Sequence, residues 1–141
     1  MIESLPERSG SQEPWSFEAF QPDALIGTTS LAFDEAVMKQ WQALFGTVGS
    51  GSEVPMATIP LLIMCAFSAV VVPRPPGNLH ISQQCHLYRL PIIGQRMTAH
   101  VVCSSKELRG ERRIVQFSID LIDAQTQGLL CTGLTTIFWA L

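Results

Sequence analysis

Few side chains in this sequence can move a proton, and the most suggestive of them borders an uncharged run. Glu53 is the sole ionisable side chain of the loop GTVGSGSEVP (46–55) and immediately precedes twenty residues without charge, Val54 to Pro73. Two readings of that carboxylate stand. It can sit favourably at the positive end of a helix, or it can act as a general base if burial raises its pKa. His80 lies in GNLHISQ, on the strand expected after the uncharged run. Alternation puts His80, Ser82, Gln84 and His86 on one strand face and Gln83 on the other. That polar face is either a hydrogen-bonded surface or the lining of a tunnel near a subunit interface. Thr47, Ser50 and Ser52 shape the loop or orient a water. Cys65 has no His or acidic residue near it in sequence, so it reads as a buried thiol and not a nucleophile. Arg109, Arg112 and Arg113, interrupted by Glu107 and Glu111, form the only basic cluster. It is a solvated turn or a landing site for phosphates.

The uncharged run must be a helix, and its length decides what kind. Pro55 and Pro60 fit only the first turn of a helix, and Pro73 closes it. The helix is therefore expected from Thr58 or Ile59, with Thr58 as its N-cap, to Val72. About 13 residues at ~1.5 Å each give ~20 Å, short of a ~30 Å hydrocarbon core. The flanks carry no Lys/Arg cluster for orientation. The expectation is a core helix surrounded on most sides, with no membrane role.

Composition narrows the rest. The 141 residues suffice for one domain with a genuine core. With 15% charged and 47% hydrophobic residues, a subunit interface is expected to hide surplus apolar surface. A net charge of −3 gives no electrostatic case for nucleic acid or anionic lipid. The four cysteines, Cys65, Cys85, Cys103 and Cys131, lack metal-ligand spacing and read as buried apolar residues in a reducing compartment. No phosphate-binding or dinucleotide Gly pattern occurs, so no cofactor is expected, and the cytoplasm is the expected location.

The element order follows from periodicity. Residues 1–23 form a flexible strap, with Trp15, Phe17 and Phe20 docking on the domain of residues 24–141. A strand is expected over Gly27–Phe33. Asp34 then caps a helix to Phe45, with Phe33 and Met38 placed as a staple and Gly46 as terminator. After the apolar helix come strands at Leu79–Arg89, Met97–Lys106, Arg112–Ile122 and Leu129–Trp139, separated by turns at 91–95, 107–111 and 123–128. A long apolar helix needs a concave apolar surface. A curved antiparallel sheet supplies one, so the class is α+β.

This order resembles the hot-dog fold. The stretch PPGNLHISQQCHLYRLPIIGQRMTAHV (75–101) resembles the MaoC-like dehydratase/hydratase family, with its Gly-x-Leu-His-x-x-Gln strand, the step Arg89-Leu90-Pro91, and a Gly with a polar residue opening the next strand. CTGLTTIFWAL (131–141) resembles the family's last strand. The resemblance implies hydration of 2-enoyl thioesters or dehydration of 3-hydroxyacyl thioesters, carried on coenzyme A or an acyl carrier protein. The family uses an Asp and, five residues later, a His in the loop before the central helix. Here Thr47 and Ser52 stand there, and no Asp or His occurs between Glu35 and Leu79. The family's His-Gly step aligns with Met56-Ala57. What carries over is backbone: the N–H groups of Ala57 and Thr58 as an oxyanion hole. Glu53 and His80 are then the candidate acid–base groups. Thr47, Ser52, His86, Arg109 and Arg112 are candidate substrate contacts.

Three functions fit this resemblance. The first is a hydro-lyase with a rearranged site. The second is a non-catalytic subunit beside a chain that carries the Asp/His pair. The third is a thioesterase or cyclase using the same cavity. All three imply a homodimer, or a heteromer with another hot-dog chain.

Overall fold

The computed structural model describes residues 13–46 and 51–140. Thr47 and Ser50, and the first dozen residues of the strap, lie outside the described residues. The elements are β1 (Leu25–Leu31), α1 (Glu35–Phe45), α2 (Ile59–Val70), β2 (Leu79–Leu87), β3 (Met97–Arg109), β4 (Arg112–Asp123) and β5 (Leu129–Trp139). A 3-10 turn, Met56–Thr58, leads directly into α2. The five strands form one antiparallel sheet in the order β1-β3-β4-β5-β2.

Alternation places the core. Val115, Phe117, Ile119 and Leu121 of β4 are fully buried, as are Met97, Ala99, Val101 and Cys103 of β3. They face α2, which buries Ile59, Leu62, Ile63, Ala66 and Phe67 against them. Phe67 meets Phe117 edge to face at 5.0 Å, and burying each such ring contributes roughly 1.5–3 kcal/mol. Two glycines let the helix lie close on the sheet. A Cβ at Gly133 would stand 2.6 Å from Ile63 Cγ2, and one at Gly27 would stand 2.8 Å from Val70 Cγ1. Because the sheet coils around it, a helix about 10 Å across packs against strands from edge to edge.

The start and end of α1 follow the expected signals, whereas α2 ends at Val70, two residues before the expected Val72. Asp34 Oδ1 accepts from the Val37 N–H at 2.9 Å, Phe33 is buried and Met38 packs on the core. Gly46 ends α1 at φ 80°. β1 begins and ends two residues earlier than expected. The chain leaves the sheet after Leu31 so that Phe33 enters the core, where its carbonyl accepts from Gly94 N–H at 2.9 Å. The turn expected at 107–111 shrinks to Gly110 and Glu111, with Gly110 at φ 62°. Glu107 and Arg109 therefore belong to β3.

Two packing expectations are corrected. The apolar helix is not surrounded on most sides in the single chain. Leu61, Cys65 and Ser68 share one face of α2, and they are exposed because the sheet covers only the opposite face. Cys65 and Cys85 are exposed, whereas Cys103 and Cys131 are buried. Cys85 lies on β2, an edge strand that nothing among the described residues flanks on its outer side and that contains no fully buried residue.

Within the described part of the strap, Trp15 stacks on Phe20 at 5.0 Å and donates from Nε1 to the Val72 carbonyl. Its own carbonyl accepts from Trp139 Nε1 at 2.7 Å. No helix among the described residues is long and apolar enough to cross a membrane.

Candidate functional site

The site is built where the loop from α1 enters α2. Pro55 takes an extended conformation and its carbonyl accepts twice from Thr58, from the N–H at 2.9 Å and from Oγ1 at 2.6 Å. Thr58 itself is helical, at φ −80° and ψ −15°. Its hydroxyl therefore points back to Pro55 and does not cap α2, which corrects the expected N-cap. Its N–H is engaged as well, so Thr58 cannot serve as an oxyanion donor in this conformation. Ala57 differs. It is exposed, and its N–H has no acceptor among the described residues. Free amides at a helix start carry partial positive charge, which suits a developing enolate oxygen.

Glu53 and Ser52 sit beside this point. A bridge between Glu53 and Ile92 holds the loop, with Val54 N–H donating to Pro91 O at 2.9 Å and Ile93 N–H to Ser52 O at 2.7 Å. The side chains of Glu53 and Ser52 are exposed. The single chain therefore provides none of the burial that the general-base reading of Glu53 invokes. Behind the loop, Gln95 accepts the Ile92 N–H at 2.8 Å and donates to Asp123 Oδ2 at 2.9 Å. The backbone N–H of Gln125 is the largest influence on Asp123 and lowers its pKa, with the Gln95 amide adding to it against partial desolvation.

Gln83 ties β2 to the first turn of α2, donating from Nε2 to the Pro60 carbonyl at 3.2 Å. Directly opposite Gln83 on β5 is Thr135, fully buried, whose hydroxyl has no partner among the described residues. Of these two polar groups beneath the helix start, Thr135 carries no signal in the sequence. The inward placement of Gln83 was legible in the alternation, but its cross-strand partner was not.

His80 is not where alternation put it. A β-bulge between His80 and Ser82 shifts the register against β5. His80 pairs with Ile137, which points to the helix, while Ser82 pairs with Thr136 on the outer face. One inserted residue is enough to move a side chain across the sheet. The His80 ring contacts the Ser82 carbonyl at 3.1 Å. No hydrogen bond or ion pair joins His80 to Glu53 among the described residues. Ser82, Gln84 and His86 do share the outer face.

His86 belongs to a polar row that crosses every strand: Thr28, His100, Asp120, Thr132 and His86 pair in sequence. Thr132 Oγ1 donates to Asp120 Oδ1 at 2.8 Å, and the His86 ring stacks on Tyr88 at 4.6 Å. His100 and Asp120 went unrecognised in the sequence because strand pairing, not spacing, brings them together.

Arg109 and Arg112 face each other across the β3–β4 hairpin, on the outer face and at the opposite end of β4 from Asp123. β4 has twelve residues, which at ~3.3 Å per residue is a separation of ~36 Å. In the single chain the two arginines are therefore remote from Glu53 and Ala57. No cluster of three or more metal-ligating side chains occurs among the described residues.

No protein-family model matches the sequence, and no curated protein matches it. Solved structures do resemble the chain. The (R)-hydratase from A. caviae involved in PHA biosynthesis superposes with a TM-score of 0.65 at 16% identity, over 87% of this chain and 99% of that one. A MaoC-like dehydratase from Rhodospirillum rubrum gives 0.69 at 10% identity, over 88% and 96%. The HadBC (3R-hydroxyacyl-ACP dehydratase) complex from Mycobacterium tuberculosis gives 0.63 at 11% identity, over 77% and 89%. At these identities the likeness establishes the fold. The chain is a single hot-dog domain of the α+β class, with the architecture found in R-hydratases and MaoC-like dehydratases.

Proposed function

We propose that this chain binds an acyl thioester at the start of α2, as one subunit of a hot-dog assembly that hydrates 2-enoyl thioesters or dehydrates 3-hydroxyacyl thioesters. The observation that carries this reading is the unengaged Ala57 N–H at the head of an uncharged helix. That group polarises the thioester carbonyl. Glu53, four residues before Ala57, is the acid–base group this chain can offer, and the carbonyl contact makes the neighbouring carbon acidic enough for it to act. The fold supports the reading through its hydratase and dehydratase neighbours.

A second hot-dog chain completes the assembly along β2. An edge strand with no fully buried residue and an exposed Leu61, Cys65 and Ser68 stripe on α2 are surfaces that such a chain would bury. Burial of the loop in that assembly supplies the desolvation that Glu53 lacks alone.

The exposure of Glu53 favours one alternative, in which the partner supplies the proton-transfer groups and this chain only shapes the site. Two-chain neighbours are in keeping with it, since HadBC and the ChsH1-ChsH2 complex from Mycobacterium tuberculosis are both complexes. The purified chain, assayed for hydration of a short 2-enoyl-CoA, separates the two. Turnover that falls at least ~100-fold in Glu53→Gln supports Glu53 as the acid–base group. No turnover alone, with turnover restored by a second hot-dog chain, supports the accessory role.

A further inference from the structure

The two arginines that the fold removes from the acyl site line a groove of their own. It occupies about 380 Å³ on the outer face of the sheet, near the β3–β4 hairpin. Its floor is a polar strip held together by hydrogen bonds. Ser105 Oγ donates to Gln116 Oε1 at 3.3 Å, and Gln116 Nε2 donates to Thr136 Oγ1 at 3.3 Å. Ile81, Ile114 and Phe138 flank the strip.

The rim carries an unbalanced charge. Arg109 and Arg112 are direct cross-strand neighbours, a placement in which like charges repel. Glu107 neutralises one of them, accepting from Arg109 Nε at 3.1 Å and from Nη2 at 3.3 Å. Arg112 has no carboxylate partner among the described residues. Its guanidinium lies over the Phe138 ring at 5.2 Å, which holds the fork in place while leaving its N–H groups to a ligand. Two arginines against one glutamate leave one excess positive charge on a chain of net charge −3.

We infer that this outer groove binds a small organic anion, a phosphate or carboxylate group on a flat body, with Arg112 taking the anion and Phe138, Ile81 and Ile114 taking the body. Gln116 and Thr136 meet polar edges of that body. The site is independent of acyl-thioester binding at α2, since it lies on the other face of the sheet and at the other end of β4.

Full-length chain, isotopically labelled, is titrated with AMP, benzoate and inorganic phosphate and followed by amide shifts in NMR. Saturable shifts at Ser105, Gln116, Thr136 and Phe138 are expected with AMP or benzoate, and which of the two binds more tightly identifies a phosphate or a carboxylate as the preferred anion. Inorganic phosphate is expected to bind at least ten-fold more weakly; equal binding would remove the role of the apolar flank. Arg112→Gln is expected to weaken binding at least ten-fold with an unchanged thermal melt. Arg109→Gln serves as the second variant if Arg112→Gln unfolds, and it is expected to weaken binding by removing the second rim cation. Absence of saturable shifts, shifts elsewhere, or binding indifferent to both variants overturns the inference.

Discussion

Ile63 rests on Gly133. The γ2 methyl of Ile63 occupies the space a Cβ at Gly133 would need, 2.6 Å away. This contact sets the height of α2 above β5 and therefore the position of the Ala57 N–H at the head of the helix. Any side chain at position 133 lifts the helix or drives Ile63 off its rotamer. Gly133→Ala is expected to cost about 1–3 kcal/mol, read from urea denaturation. Ile63→Ala added to it should be less destabilising than the sum of the two single changes, because it removes the Cγ2, Cγ1 and Cδ1 atoms that a Cβ at position 133 would meet. Strict additivity would show that the two residues do not press on each other.

The loop that carries Glu53 should loosen in acid. Asp123 accepts from the Gln125 N–H and from the Gln95 amide, and its folded pKa lies below the ordinary 3.8. A lowered folded pKa means that its stabilising contribution is fully present above 3.8 and disappears as pH falls through the lower folded value. Amide exchange at Ile92 and Gln95 should quicken in that acid range, and Asp123→Asn should make it quick at neutral pH as well. Exchange rates that ignore Asp123 would break the link from Asp123 through Gln95 to the Glu53 bridge.

The cysteines divide by accessibility. Burial, with Cys85 and Asp120 nearby, pushes the Cys131 thiol up to about 12, and burial also raises Cys103 against the opposing charge of Lys106. Brief alkylation of the native chain near neutral pH should modify Cys65 and Cys85 and spare Cys103 and Cys131. Because Cys65 lies on the exposed stripe of α2, its modification should slow as the chain assembles with a second hot-dog chain. Rapid labelling of Cys131 in the native state would contradict its burial.

Asp34 holds the helix that delivers the chain to the Glu53 loop. Asp34→Ala removes the acceptor for the Val37 N–H and is expected to destabilise the fold by about 1 kcal/mol. Asp34→Ser should recover most of that loss, because a hydroxyl caps nearly as well. Equal loss in both variants would mean that Asp34 acts other than as a cap.

The sequence was most readable where local chemistry decides the outcome. Asp34, Gly46 and the uncharged run with its bounding prolines place both helices, and RIVQFSIDLI shows its buried face by alternation alone. It was least readable where pairing decides. The bulge at His80 leaves no mark in LHISQQCHL, yet it sends His80 to the other face. The row from Thr28 to His86 exists only once five strands are in register. Arg109 and Arg112 read as candidates for the acyl ligand until β4 put its own length between them and Glu53. The Thr58 N–H looked equivalent to that of Ala57 until the 3-10 turn engaged it with Pro55.

A structure of the chain, with its partner where one is required, bound to a short 2-enoyl-CoA tests the acyl-thioester reading most directly. The thioester carbonyl oxygen is expected within ~3 Å of the Ala57 nitrogen. A bound ligand whose carbonyl is held elsewhere, with the Ala57 N–H still facing solvent, would contradict it.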